Sequence, residues 1–513
     1  EHQNVRTLSA QRDGIIVPDL PTIDTSTEQD VAGGGYNHWA TAGFFGRLNY
    51  NYKEKYLLEV NGRYDGTSRF MKDQRWNFFP SFSLGWNVAR ENFWKPLESV
   101  VNQFKLRGSW GELGNQNTSN LYPFYEILPV KSNSGNWLVN GGKTNTADIP
   151  SLVSTLLTWE RVRSFNVGFD FGAFSNRLTG SFDYFVRKTV DMVGPAPQLP
   201  LVLGIAPAIV NNADMKSYGF EIELSWRDRI GEVDYGVKFN LADAQQKVVK
   251  YPNTTNAFSD WYAGKMSGEI WGYTSLGIAK TDEEMKEHLA SLPNGGQNQL
   301  GNKWGAGDIM YADINGDGKV DGGKGTLADP GDQRIIGNST PRYNFGLVLD
   351  ASYKGFDVSI FFQGVGKRDY APIVGTNGAV FWGAVNNIWQ SMAMEEHFDY
   401  FRPEGHPMGA NLNGYYPRPD FTSNKNHQVQ TRYLQDASYI RLKNLQIGYT
   451  LPKQWINKLH INRCRVYVSG DNLWTGTSLA SMFDPETLAA GDWGSGKTYP
   501  LSKVISFGLN VNF

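Results

Sequence analysis

The chain has 513 residues and a formal net charge of −2, a balance that argues against nucleic acid or a polybasic membrane-surface partner. Aromatic residues make up 14% of it and there are 56 glycines, yet the mean hydropathy is only −0.44. Alternation of lipid-facing rings with polar residues gives both values together, which a core-rich helical protein does not.

Residues Glu1 to Val31 are polar and lack the basic-then-apolar pattern of a secretion signal. The expectation is a fragment or a processed piece whose preceding part lies elsewhere. Further on, Phe104, Leu106 and Trp110 alternate with Lys105, Arg107 and Ser109. Phe165, Val167, Phe169 and Phe171 oppose Asn166, Gly168, Asp170 and Gly172, and Tyr218 to Trp226 repeats the pattern. Tyr235, Val237, Phe239 and Leu241 follow, and then Tyr343 to Tyr353, in which Val348 is the apolar exception on the polar face. The chain ends on the clearest case, with Ile505, Phe507, Leu509, Val511 and Phe513 on one face. Period-two runs of about 10–14 residues exceed ordinary globular strands and suit a tilted bilayer crossing.

Cys464 alternates with Val466 and Val468 and reads as a small apolar strand residue; as the only cysteine it excludes an internal disulfide. No run approaches the ~18–20 apolar residues of a membrane helix, so a closed barrel is the remaining way to span. About 14 such segments are present, more than an ordinary sheet holds. Rings gather at strand ends, at Tyr50, Tyr52, Tyr353, Phe356 and Tyr449, as interfacial girdles do. Tight turns at Asn51–Lys55 and Tyr353–Phe356 alternate with long Gly-, Asn- and Pro-rich stretches at Met192–Asp214, Lys247–Thr340, Arg368–Gln435 and Thr475–Pro500. The predicted class is therefore all-β: a transmembrane antiparallel β-barrel with long extracellular loops. Inside one loop, Thr281 with Glu284 three residues on predicts a capped helix over Thr281–Leu292.

Four patterns bear on chemistry. Asp313, Asn315, Asp317, Lys319 and Asp321 occupy positions 1, 3, 5, 7 and 9 of an EF-hand-like loop, with Gly318 at 6, which suits a structural Ca²⁺ or Mg²⁺. Position 12 is Lys324 rather than Glu, leaving Asp329, Asp332 or Asp308 to complete the set; the alternative is an Asx-rich turn with no ion. Gly491 to Thr498 spells a phosphate-loop pattern, but Pro500 and a strand follow where a helix is required, so nucleotide binding is rejected. The seven histidines show no metal-type pairing, and His397, His406 and His427 read as exposed loop residues. No hydrolase motif is present, so no enzyme is expected. Loop aromatics Trp261, Tyr262, Trp271, Trp304, Trp382, Trp389, Tyr415 and Tyr416 are candidates for stacking on a sugar or peptide, or for packing among the loops.

A set of segments carries a family resemblance across nearly the whole chain. They are Gly46–Tyr50, Lys55–Leu58, Arg63–Phe70, Trp76–Trp86, Asp313–Gly318, Pro341–Gly346, Gly355–Asp357, Phe362–Gly364, Tyr439–Pro452, Val466–Trp474 and Asp484–Glu486. Together they resemble the SusC/RagA family of TonB-dependent outer-membrane transporters. The resemblance implies a 22-stranded barrel around an N-terminal plug and a SusD-like surface lipoprotein as lid. It also implies TonB-driven import of oligosaccharides or peptides and dimers of transporter–lipoprotein pairs. Residues 1–513 then form the C-terminal portion of that barrel, integral to the bacterial outer membrane, with the plug, the TonB-contacting part and the earlier strands outside this chain. A passive porin-like or adhesin barrel is the alternative, and a surface glycan-degrading enzyme a weaker one.

Overall fold

Fourteen strands form a single antiparallel sheet whose order follows the chain, each strand pairing with its sequence neighbours. The computed structural model describes residues 2–12, 30–118, 121–195, 200, 202, 204–205, 207–372, 381–382, 394–420, 424–457, 460–488 and 499–513. The strands are β1 His2–Arg12, β2 Asp30–Tyr52, β3 Tyr56–Thr67, β4 Trp76–Asn87, β5 Val101–Asn115, β6 Glu160–Ala173 and β7 Leu178–Gly194. They continue as β8 Val210–Ile230, β9 Val233–Lys250, β10 Arg342–Tyr353, β11 Phe356–Lys367, β12 Tyr439–Thr450, β13 Arg463–Thr477 and β14 Val504–Asn512. β1 and β14 are the two edges of the sheet.

Register turns the period-two pattern of each strand into one continuous face, because directly paired residues point to the same side. Leu58 pairs with Leu84, Leu106 with Phe169, Phe182 with Ile222 and Leu241 with Phe345. Leu347 pairs with Phe362, Ile360 with Leu445, Ile447 with Val468, and Val468 with Phe507. That row is left uncovered: Leu84 is 64% exposed, Leu509 64% and Phe507 85%. In water so broad an apolar surface would drive aggregation; against acyl chains it is the stable arrangement.

Two aromatic triplets bound this face. At one end Trp76 stacks between Phe44 and Tyr64, with centroids 6.2 and 5.1 Å away; at the other Tyr56 stacks between Tyr52 and Trp86, both at 6.5 Å. Trp76 and Trp86 stand ten residues apart on β4, about 33 Å along a strand and roughly 25 Å across a bilayer once tilted by ~40°. On β5 and β6 the outward row passes from Trp110 and Phe165 to Glu112 and Arg163, which pair at 2.6 Å. That ion pair marks where the face leaves the apolar band.

The other face is polar. Arg107 reaches Asp170 and Asp183, at 3.1 and 2.6 Å, and Arg465 Nε donates to Asp357 at 2.9 Å. At the Tyr52–Tyr56 end the connections 53–55, 174–177, 231–232 and 354–355 are tight turns, while 88–100 and 451–462 are longer. Lys354 and Gly355, both at positive φ, make a two-residue turn between Tyr353 and Phe356 that matches the twist of the flanking strands. At the opposite end lie the described parts of connections 116–159, 195–209, 251–341, 368–438 and 478–503.

The fold class expected from the sequence is thus present. Its limits needed trimming: Met192 pairs with Ala213, so β7 and β8 extend into what the sequence marked as loop. The helix forms as α1, Asp282–Ala290, with Thr281 Oγ1 accepting from the Glu284 amide at 3.1 Å. Cys464 is a buried strand residue opposite Val511.

Candidate functional site: the outer loop cluster

The described parts of loops 251–341, 368–438 and 478–503 fold together around one apolar core. Phe381 lies at its centre, 5.0 Å from Trp382, 5.2 Å from Tyr416, 5.8 Å from Tyr433 and 6.3 Å from Phe483. Ile309, Tyr311 and Val320 close it from the first loop and Leu479 and Leu488 from the last. Polar groups join the loops where backbone would otherwise be stranded. Arg368 donates to the carbonyls of Ser339, Pro485 and Leu488, so that one guanidinium ties three loops. Asp308, fully buried, accepts from Lys425 at 2.9 Å, from Arg418 at 2.6 and 2.8 Å and from Asn426 at 2.9 Å. Arg441 Nη2 meets Asp484 at 2.7 Å and its Nη1 meets Glu486 at 2.8 Å, fixing the last loop to β12.

Of the eight loop aromatics singled out from the sequence, four belong to this packing. Trp382 and Tyr416 are buried in the core, and Tyr415 meets Tyr416 edge-on at 5.0 Å. Trp304 is half-buried, donates to the Gly301 carbonyl at 3.1 Å and carries the Lys425 ammonium over its ring at 5.1 Å. Trp261, Tyr262 and Trp271 form a separate group near the end of β9. Trp271 stacks on Phe258 at 4.5 Å, and the Tyr262 hydroxyl donates to Glu269 at 2.5 Å. Burial and Glu269 together push the Tyr262 phenol up to about 12. Trp261 is 45% exposed, the one ring of the described set open to a ligand in this conformation. Trp389 lies outside the described residues, as does the Gly491–Thr498 segment. The seven described rings therefore fall into two separate groups.

The histidines correct the sequence reading. His397 and His427 are buried, because these loops have a core of their own and loop position no longer means exposure. His397 accepts from the Met394 amide at 3.0 Å and sits 3.0 Å from the Phe381 carbonyl. His427 lies against Trp382, with centroids 4.5 Å apart, and among the described residues neither ring nitrogen has a hydrogen-bond partner. Burial pushes its imidazole down to about 4.

The Asp313 loop is closed by its own amides. Asp313 accepts from Gly316 at 2.7 Å and Gly318 at 2.8 Å, and both glycines sit at positive φ. Asp332, offered from the sequence as a completing ligand, instead accepts from the amides of Ile314, Asn315 and Asp321, and burial raises its carboxyl. Asp308 is taken by Arg418 and Lys425. Lys319 donates to Asp321 and holds its carboxyl below the usual range. Among the described residues no three His, Cys, Asp or Glu side chains are grouped as a cation site.

Sequence reasoning missed the Asp308–Arg418–Lys425–Asn426 cluster. Asp308 lies more than a hundred positions from its three partners, and no local spacing announces the contact.

Comparison with known proteins follows the same lines. The family model described as TonB dependent receptor-like, beta-barrel matches residues 3–473. TonB-dependent receptor P3 of Formosa agariphila is 30% identical over 499 residues, covering 91% of this chain and 45% of the relative. TonB-dependent receptor SusC of Bacteroides thetaiotaomicron is 24% identical over 486 residues, 92% of this chain and 43% of SusC. Among solved structures, the RagAB peptide importer in its open-open state aligns with a TM-score of 0.73 at 21% identity, covering all of this chain and 52% of that one. The chain spans about half the length of the curated relatives it matches. It belongs to the TonB dependent receptor-like β-barrel family, and shares its strand fold with RagAB.

Proposed function

We propose that this chain forms barrel wall and extracellular loops of an active importer in the bacterial outer membrane. Its cargo is an oligosaccharide or a peptide, and TonB drives it. The observation that carries this reading is the uncovered apolar face, continuous from β2 to β14, in a chain of this family. The free edges of β1 and β14 cannot face lipid unpaired, so further strands complete the wall. A plug and its TonB contact belong to that remainder, and a SusD-like lipoprotein closes the outer side. This segment then contributes passage and recognition but no bond chemistry.

The test is uptake. Cells that take up or grow on the cargo through this protein lose that ability when TonB is deleted and regain it on complementation. Growth that survives the deletion sinks active import and favours the passive porin. Mass spectrometry of the protein purified from its membrane identifies the lipoprotein and any bound glycan or peptide; recovery without a lipoprotein removes the lid from the account.

A further inference from the structure

The connection between β4 and β5, residues 88–100, is longer than a hairpin needs and folds onto the outer side of the sheet. Its 3₁₀ segments are Val88–Arg90 and Asn92–Leu97. Phe93 meets Trp86 edge-on at 6.4 Å, and Trp94 lies flat on Phe104 at 5.2 Å with 4° between the planes. Trp86 and Phe104 both belong to the outward apolar row. Glu91 pins the start of the segment, accepting from Lys55 at 2.8 Å, Tyr56 at 2.7 Å and Trp86 at 3.2 Å. Trp94 Nε1 donates to the Val101 carbonyl at 2.9 Å and pins its end. Between these two fixed points the open surface sets apolar Phe93, Leu97 and Val100, 63%, 51% and 46% exposed, beside exposed Asn92, Lys95, Glu98 and Ser99.

We propose that residues 92–100 are an interfacial anchor seated at the headgroup–acyl boundary of the phospholipid leaflet at the short-turn end. The proposal rests on the reading of the sheet as a membrane wall. Continuity selects the occupant: the segment's rings stack on rings that themselves face acyl chains, beside the Tyr52–Tyr56–Trp86 girdle. A protein bound there would have to displace lipid from Trp86 and Phe104. Lys95 and Glu98, both exposed beside the apolar residues, offer one charge of each sign and suit a zwitterionic headgroup. The anchor sets the depth at which the β4–β5 end sits, as interfacial segments with apolar and charged sides do.

The experiment uses the protein reconstituted into phosphatidylcholine vesicles, in a Cys464→Ser background, with a bimane label on Phe93→Cys, Leu97→Cys or Leu84→Cys. Labels at 93 and 97 are expected to be quenched about twofold more by lipid carrying a nitroxide at acyl carbon 5 than by the deeper carbon-12 probe, as for shallow insertion. The label at 84, in the middle of the wall, favours the deeper probe. Lipid quenching at 84 together with iodide-only quenching at 93 and 97 overturns the anchor and leaves the wall intact. Iodide-only quenching at all three positions overturns the wall reading itself, and the anchor with it.

Discussion

The strand wall and the outer loop cluster are built on opposite plans within one chain. In the wall, Leu84, Phe507 and Leu509 are exposed and polar residues take the inner face; in the cluster, Phe381 and Trp382 are buried and Asp308 and Lys425 are buried with them. The wall is held by hydrogen bonds between strands adjacent in sequence. The cluster is held by contacts such as Asp308–Lys425 and Arg368–Leu488, between loops. The difference teaches that the medium decides which side the apolar residues take: lipid lets the wall wear them outside, and water drives them inside the loops.

Substitutions that exploit this contrast separate the two regions. The largest effect is expected from Asp308→Ala, which removes the carboxylate that Lys425 and Arg418 both meet. Leaving the buried Lys425 ammonium without that carboxylate costs about 3–5 kcal/mol. Hydrogen exchange should accelerate in the loop amides and stay unchanged in the strands; equal acceleration in both would mean that the two regions fold as one unit. Next comes Leu347→Arg, on the outward row between Phe239 and Phe362. It should lower stability in vesicles by about 2–4 kcal/mol, whereas Asn240→Arg on the inner face should change it by less than about 1 kcal/mol. Denaturant unfolding of the reconstituted protein reads the pair, and equal costs would contradict the assignment of faces.

A pH effect should be confined to the cluster. The folded His427 imidazole titrates near 4, below its usual range, so opened loops bind more protons than closed ones between about 6.5 and 4. The His427 contribution to loop stability is therefore full above pH 6.5, falls by about 3 kcal/mol as the pH drops through that window, and levels off below it. His427→Phe should flatten the profile, followed by loop-amide exchange at pH 7.0 and 4.5. The smallest effect belongs to Asp313→Ala, which frees the amides of Gly316 and Gly318 and should cost roughly 1 kcal/mol, with no calcium uptake by calorimetry in either form. Stoichiometric uptake lost in the variant would restore the ion to this loop.

The same contrast explains what the sequence disclosed. The wall was legible because a strand repeats every two residues and needs no knowledge of its partner; the row from Phe165 to Phe171 and the one from Ile505 to Val511 both fell where expected. The α1 start was legible because Thr281 and Glu284 act across one turn. Strand ends were less so: beyond the membrane β7 and β8 pair through residues such as Asn211 and Ala213 that read as loop. Rings such as Trp382 and Tyr416 were visible as out of place in a loop, but their partner Phe483 lies in another loop, so packing could not be told from ligand stacking. The anchor at Phe93–Leu97 was invisible for a related reason, since its meaning depends on Phe104 lying under Trp94.

The claim beneath all of these is that alternate residues of β10 face lipid. Nitroxide labels placed singly from Phe345 to Asp350 in the reconstituted protein, each read for collision with oxygen and with a water-soluble nickel chelate, test it directly. The account predicts oxygen-accessible, nickel-protected positions at 345, 347 and 349 and the reverse at 346, 348 and 350, following the register with β9 and β11. Equal nickel access along the strand, with no alternation, would contradict it.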